Sequence, residues 1–154
     1  MANNWRANLK ACFRLKPTPL LLTTDVVLFG TDSEDVDYVL LIQRKNPPFK
    51  NYWALPGGFV DPEEDLQDAA LRELNEETSI VVDMLHQFKT YGNPNRDERG
   101  RVVTVAFWAK VPISNLTPKA QDDAKAVKWF FLDDLPDLAF DHLQIILDAQ
   151  KIKT

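Results

Sequence analysis

The chain has 154 residues, of which 45% are hydrophobic and 27% are charged, and its formal net charge is −5. This length and composition suit one globular domain and exclude a disordered or fibrous chain. Residues 61–77 hold eight acids against one base, so this segment carries −7 and the other 137 residues carry +2. The acidity is therefore a local feature. We expect a single domain over residues 1–154, with residues 1–19 as an N-terminal amphipathic extension.

The composition also indicates a compartment. The one cysteine, Cys12, cannot form an internal disulfide, which favours a reducing environment. Basic residues interrupt the apolar core that an N-terminal signal peptide needs, and no later run approaches the roughly 18 apolar residues of a membrane span. We therefore expect a cytoplasmic protein without a membrane partner.

The predicted elements begin with a short helix. Residues 4–14 place Trp5, Leu9 and Phe13 at intervals of four, which predicts an amphipathic helix that ends before Pro17. We expect its apolar stripe to pack on the body of the protein or on a partner subunit.

Strand patterns follow this helix. Aliphatic and β-branched residues predict strands over 20–29 and 38–43, joined as a hairpin, whereas residues 53–59 are too short and broken for a long element. Three further strands are predicted downstream, over residues 84–91, 102–111 and 127–132.

Two longer helices complete the pattern. Residues 61–78 predict a helix with Asp61 as its cap, Pro62 in its first turn and acids at the positive end of its dipole. Residues 138–152 place apolar side chains at helical spacing and predict a last helix. Because strands and helices interleave without the period of a parallel sheet, we expect an α/β fold with a mixed sheet between helices.

The acidic helix ends in an unusual group of side chains. Glu73, Glu76 and Glu77 are three and four residues apart, so they share an arc of about 100° on a face that begins apolar. Near the C-terminal end of a helix, three carboxylates oppose the dipole and repel one another. A hard divalent cation such as Mg²⁺ relieves both effects, because it prefers carboxylate oxygens. The alternative is a solvated acidic face.

The spacing of these residues resembles the Nudix hydrolase signature, G-x5-E-x7-R-E-U-x-E-E-x-G-U with U aliphatic. The matching residues are Gly58, Glu64, Arg72, Glu73, Leu74, Glu76, Glu77 and Ile80. The one departure is Ser79, where the family has glycine just past the helix. That position favours left-handed geometry, so we expect mild strain or a shifted turn there.

The resemblance implies a Mg²⁺-dependent hydrolase of nucleoside diphosphate derivatives on an α/β/α sandwich, with Mn²⁺ as a substitute metal. It implies that Glu76 and Glu77 bind the metal together with the carbonyl of Gly58. Glu73 is then either a further ligand or the base that deprotonates the attacking water. The supporting residues are Arg72 and Glu64. Pyrophosphate resists anionic nucleophiles, so such a site must neutralise its oxygens with cations.

A second stretch narrows the substrate. Residues 91–103 resemble the loop and strand of Nudix ADP-ribose pyrophosphatases, and so does the sequence of residues 140–142. Arginines in this loop supply planar cations for phosphates, and the alternative is a solvated charged loop. The candidate substrate-binding residues are Arg44, Arg96, Arg99, Arg101 and Asp123. Four aromatics are candidates for adenine stacking but are more typical of core: Trp53, Phe59, Tyr91 and Trp108. We assign His142 to packing.

The expected reaction is hydrolysis of ADP-ribose to AMP and ribose 5-phosphate. The alternatives are a nucleoside triphosphate pyrophosphohydrolase and a non-catalytic ADP-ribose-sensing module. The sequence has neither a P-loop nor a dinucleotide-binding glycine motif. Because it ends at Thr154, shortly after the last predicted helix, we expect no DNA-binding domain and no nucleic-acid partner. We expect a homodimer.

Overall fold

A mixed seven-stranded sheet forms the centre of residues 19–153, the part of the chain that the structure, a computed structural model, describes. The predicted helix over residues 4–14 lies outside the described residues. The strands are β1 (Leu21–Thr31), β2 (Asp37–Arg44), β3 (Trp53–Ala54), β4 (Gly57–Phe59), β5 (His86–Tyr91), β6 (Val102–Pro112) and β7 (Ala124–Phe131). The helices are α1 (Leu66–Thr78) and α2 (His142–Gln150), with a 3-10 turn at Ile113–Asn115.

The order of the main sheet is β3-β2-β1-β6-β5, with β4 paired to β1 and β7 paired to β2. The central pair, β1 and β6, is parallel, and the other strand pairs are antiparallel. The predicted hairpin is confirmed, since Phe29 pairs with Val39 across β1 and β2. The prediction of an α/β fold with a mixed sheet is confirmed as well.

Strand β1 is buried on both faces, because a helix covers each side of the sheet. Its side chains alternate between two cores: Val26 and Leu28 pack on the α1 side, and Val27 and Phe29 pack on the α2 side. Burial of each such side chain stabilises the fold by about 1.5–3 kcal/mol. The three layers match the α/β/α sandwich that the sequence implies. No helix within residues 19–153 meets the length and hydropathy that a bilayer crossing demands.

The prediction that the acidic helix begins at Asp61 is wrong. Helix α1 begins at Leu66, and Asp65 caps it by accepting a hydrogen bond from the Gln67 N–H at 3.0 Å. The preceding residues form a turn in which the Glu64 N–H donates to the Asp61 carbonyl at 3.1 Å. This turn also directs the Glu64 carboxylate back toward the helix, where it binds Arg72.

The last helix also starts later than predicted, at His142 rather than 138. Phe140 has a φ of 53°, in the left-handed region, and this interrupts helical geometry just before α2. Strand boundaries differ by a few residues: β5 begins at His86, and β7 begins at Ala124. The short strands β3 and β4 were not expected, because two or three residues carry no periodicity.

Ser79 ends α1 in the left-handed conformation, with a φ of 59°. Its N–H donates to the Asn75 carbonyl at 2.8 Å, which closes the helix as the family glycine would. Its hydroxyl accepts a hydrogen bond from the Gln121 amide at 2.7 Å. The expected mild strain is therefore present, and an exposed hydrogen bond offsets part of it.

We predict that Ser79→Gly raises the stability of the metal-free protein by about 1 kcal/mol, because glycine adopts this φ without strain. The melting temperature should rise by about 2–4 °C. Ser33→Gly, in an exposed turn without a positive φ, is the matched control and should not stabilise. A lower melting temperature for Ser79→Gly than for Ser33→Gly would contradict this account of the helix end.

Candidate functional site

A cavity of about 300 Å³ opens where β1, β4, α1, the arginine loop (residues 92–101) and the start of α2 meet. The structure brings most of the predicted site residues to its wall. Those that line it are Arg44, Gly58, Arg72, Glu73, Glu77, Arg96, Arg99 and Asp123. The remaining three, Glu64, Glu76 and Arg101, lie outside the lining.

Glu77 is the most deeply buried acid of α1, with 7% of its surface exposed. Its Oε2 accepts a hydrogen bond from the Gly57 N–H at 3.0 Å. Burial raises the pKa of Glu77 to about 8; the Gly57 hydrogen bond opposes this shift, and the charges of Glu73 and Asp25 add to it. The backbone of β4 reaches this position because residue 57 is glycine, since a Cβ there would overlap the Thr24 carbonyl oxygen.

Arg72 organises the other acids of the helix. It binds Glu64 through two parallel hydrogen bonds, from Nε at 2.8 Å and from Nη2 at 2.9 Å. Its Nη1 contacts Glu73 at 2.8 Å and Glu76 at 3.2 Å. This pairing raises the pKa of Arg72 and lowers the pKa of Glu64. The turn before α1 therefore supports the helix, because it supplies the Glu64 carboxylate that binds Arg72.

Glu73 lies against Gly58, and a Cβ on that glycine would overlap the Glu73 carboxylate. Burial raises the pKa of Glu73, and its hydrogen bond with Arg72 opposes the shift. Glu76 is farther out, with 44% of its side chain exposed. The buried Glu77 carboxylate and the partly buried Glu73 carboxylate thus lie against the Gly57–Gly58 backbone.

The donor set suits a hard divalent cation. Within residues 19–153, no Lys or Arg lies within ion-pair distance of Glu77, and the charge of Arg44 offsets its burial only in part. No three acidic, imidazole or thiol groups of this part of the chain converge as a complete metal site, because Arg72 holds Glu73 and Glu76.

Three further arginines line the cavity, Arg44, Arg96 and Arg99, and the Arg96 side chain is only 4% exposed. Its Nε and Nη2 donate to the Asp141 carboxylate at 2.9 and 2.6 Å. Asp141 precedes α2 but makes no capping hydrogen bond, because both its oxygens bind Arg96. The arginine loop is therefore anchored to the start of α2 and is not a solvated loop at this point.

Arg99 and Arg44 stand beside aromatic rings. The Arg99 guanidinium binds Asp97 at 2.7 Å and lies 5.3 Å from the Phe59 ring and 5.5 Å from the Phe140 ring. Arg44 lies 5.0 Å from the Phe140 ring, and burial lowers its pKa. The positive φ of Phe140 is strained for an aromatic residue, and such strain clusters at functional sites.

Two other predicted substrate contacts lie at or beyond the rim. Asp123 lines the cavity, where its Oδ1 accepts a hydrogen bond from Asn46 at 3.1 Å. Arg101 donates to the Gly92 carbonyl and is outside the lining. Of the four aromatics proposed for stacking, Phe59 alone lines the cavity, and the other three pack in the α2-side core.

Sequence reasoning missed Asp25 and assigned His142 to packing alone. Both side chains are buried and both line the cavity. Asp25 is the one acidic residue in the apolar strand β1, and this break in the pattern was the available signal. His142 gave no such signal, because a histidine at an apolar helical position is typical of packing.

Comparison with known proteins places this architecture in a family. A family model described as NUDIX domain matches residues 19–149. The chain is 42% identical over 139 residues to an ADP-ribose pyrophosphatase of Methanocaldococcus jannaschii, covering 90% of this chain and 80% of that protein. It is 41% identical over 137 residues to the ADPR responsive transcriptional repressor NtrR of Acinetobacter baylyi, covering 86% of this chain and 54% of the repressor.

A solved structure agrees with these sequence relatives. The NUDIX domain of Shewanella oneidensis NrtR, crystallised with ADP ribose, superimposes with a TM-score of 0.81 at 40% identity, covering 100% of this chain and 99% of that one. The family model spans most of the chain, and four signature residues line the cavity: Gly58, Arg72, Glu73 and Glu77. The protein is therefore a member of the Nudix family.

Proposed function

We propose that this protein is a Mg²⁺-dependent pyrophosphatase that hydrolyses ADP-ribose to AMP and ribose 5-phosphate. The observation that carries the proposal is one cavity whose lining combines the buried Glu77 carboxylate and the partly buried Glu73 carboxylate with several arginines. A pyrophosphate needs both: a cation held by carboxylates and direct charge pairing with guanidinium groups. The archaeal relative named ADP-ribose pyrophosphatase supports this substrate.

The metal-binding residues in this proposal are Glu73, Glu76 and Glu77 with the carbonyl of Gly58. A bound Mg²⁺, or Mn²⁺ in its place, supplies neutralisation of pyrophosphate charge and a lowered pKa for water. Such a cation would compensate the negative charge of the buried Glu77 carboxylate. Glu76, whose side chain is 44% exposed, would be the third carboxylate of this set.

Arg72 and Glu64 support this group of carboxylates. Their parallel hydrogen bonds fix the guanidinium, which keeps neighbouring carboxylates at set positions despite their mutual repulsion. Glu73 either binds the metal or accepts a proton from the attacking water. The pKa of Glu73 is raised, that is, shifted toward neutral pH, and such a shift favours a group that accepts a proton from water.

Arg44 and Arg99 are the residues that we propose for contact with the phosphates. Both line the cavity beside Phe140, and the aromatic ring orients their planar groups. Arg96, whose guanidinium binds Asp141, stays a predicted substrate contact. Asp123, which lines the cavity, stays a predicted substrate contact. Arg101 also stays one, although it lies outside the lining.

Sensing of ADP-ribose without hydrolysis is the second candidate, because the chain is 41% identical to an ADPR responsive repressor. The complete set of signature carboxylates favours hydrolysis over sensing. Hydrolysis of nucleoside triphosphates is the third candidate. The homodimer, the cytoplasmic location and the lack of a nucleic-acid partner remain predictions.

We predict that Glu77→Gln lowers ADP-ribose turnover by more than about 100-fold, because it removes a metal-binding charge. The same change should stabilise the metal-free protein at pH 8. Between the ordinary glutamate pKa and about 8, folded Glu77 holds a proton that the unfolded chain releases, so wild-type stability falls as pH rises through this range. Melting temperatures of the metal-free proteins at pH 5.5 and pH 8 measure this effect.

Exposed Glu34→Gln is the matched control, with the same chemical change in a turn far from the cavity. It should retain wild-type turnover and a wild-type response of melting temperature to pH. Unchanged turnover in Glu77→Gln would remove Glu77 from the proposed site.

A substrate panel tests the reaction itself. With Mg²⁺ present, kcat/KM should be highest for ADP-ribose among ADP-ribose, NADH, diadenosine polyphosphates and nucleoside triphosphates. A higher kcat/KM for a triphosphate would contradict ADP-ribose as the substrate, but it would still identify the protein as a Nudix pyrophosphatase. Binding of ADP-ribose without release of AMP would identify a sensor.

A further inference from the structure

The floor of the cavity is formed by three polar side chains, Asp25, Arg96 and His142, which we call the floor cluster. Their side chains are 9%, 4% and 5% exposed, respectively. They come from three separate elements: β1, the arginine loop and α2. None belongs to the signature segment, and the reaction described above leaves Asp25 and His142 without a role.

Asp25 has unused hydrogen-bonding capacity. Within residues 19–153, no side chain or loop N–H donates a hydrogen bond to its carboxylate. Its Oδ1 is 3.6 Å from His142 Nε2 and its Oδ2 is 3.8 Å from Arg96 Nη2, both beyond normal hydrogen-bond length. A buried carboxylate with unfilled acceptor sites is costly, so this one is suited to a donor that enters the cavity.

His142 provides a donor beside this acceptor. Its Nδ1 accepts a hydrogen bond from the Leu55 N–H at 2.9 Å, so Nδ1 carries no proton. Burial lowers the pKa of His142, which keeps the ring neutral with its proton on Nε2. The Nε2–H therefore faces the Asp25 carboxylate and the cavity. A hydroxyl group matches this pair, because it both donates and accepts.

Charged ligands fit the floor cluster poorly. The Asp25 carboxylate repels a phosphate, and the adjacent Arg96 guanidinium repels a metal ion. A carboxylate has two acceptor oxygens, so it can bind both hydroxyls of a vicinal diol. Asp25 also pairs across the strands with Gly57, whose N–H binds Glu77. A sugar hydroxyl at Asp25 therefore lies next to the site proposed for the pyrophosphate.

We propose that the floor cluster is a ribose-binding subsite in which Asp25 accepts hydrogen bonds from ribose hydroxyls and His142 Nε2–H donates one. This inference deepens the proposed function and rests on it. ADP-ribose carries two riboses, and either supplies the required diol. Asp25 is then a specificity-determining residue that selects ribose over deoxyribose.

Binding of single products tests this subsite without any hydrolysis. Isothermal titration in Mg²⁺ should compare AMP with 2′-deoxy-AMP, and ribose 5-phosphate with 2-deoxyribose 5-phosphate. For one of these pairs, the wild-type protein should bind the ribose member about 10- to 100-fold more tightly. That pair identifies which ribose lies at Asp25. In Asp25→Asn, the preference should fall below about threefold.

Asp35→Asn is the matched control, since it removes one negative charge from an exposed turn and should keep the wild-type preference. Asp25→Ser is a second variant should the asparagine protein fail to fold. A merely structural role for Asp25 would weaken both members of a pair equally. That result, or equal wild-type affinities within both pairs, would overturn the proposal.

ADP-ribose hydrolysis by the wild-type protein is measured separately. If hydrolysis is absent but the ribose preference and its loss in Asp25→Asn are present, the subsite stands and the proposed reaction fails. If hydrolysis is present without any ribose preference, the reaction stands and the subsite fails.

Discussion

The close approach of β4 to β1 at Gly57 is the constraint on which the rest of the site depends. The absence of a Cβ brings the Gly57 backbone against Thr24 and Asp25, and its N–H then reaches the Glu77 carboxylate. The next residue, Gly58, lies against the Glu73 carboxylate, and its lack of a Cβ leaves room for that side chain. One glycine pair thus joins the helix that carries the acids to the strand that carries Asp25.

This arrangement lowers the stability of the fold but provides the acidic groups that the proposed reaction uses. Glu77 is buried beside other negative charges, which raises its pKa and opposes its ionisation near neutrality. Packing of α1 on the sheet holds the helix in place despite this cost. The same exchange recurs at Phe140, whose left-handed backbone is strained, and at Asp141, which binds Arg96 instead of capping α2. Locally unfavourable features, namely a buried acid, a strained backbone and a missing helix cap, therefore lie together around the cavity, as is typical of functional sites.

The sequence predicts the parts that depend on local spacing. Offsets of three and four residues place Glu73, Glu76 and Glu77 on one helical face, and strand and helix patterns predict the mixed sheet. It does not predict contacts between distant segments. Asp25 meets Gly57 through strand pairing, and His142 meets Leu55 across 87 residues. The start of α1 differs from the predicted start because each of several successive acids can cap a helix, and their spacing alone does not single out Asp65.

The central claim is that Glu77, held at Gly57, and its neighbours on α1 bind a divalent cation beside Gly58. Anomalous diffraction from crystals of the wild-type protein soaked in Mn²⁺ tests this claim most directly. The account predicts an anomalous peak at coordination distance, about 2.0–2.3 Å, from a Glu77 oxygen beside Gly58. A peak on other residues, or none at a saturating Mn²⁺ concentration, would contradict it.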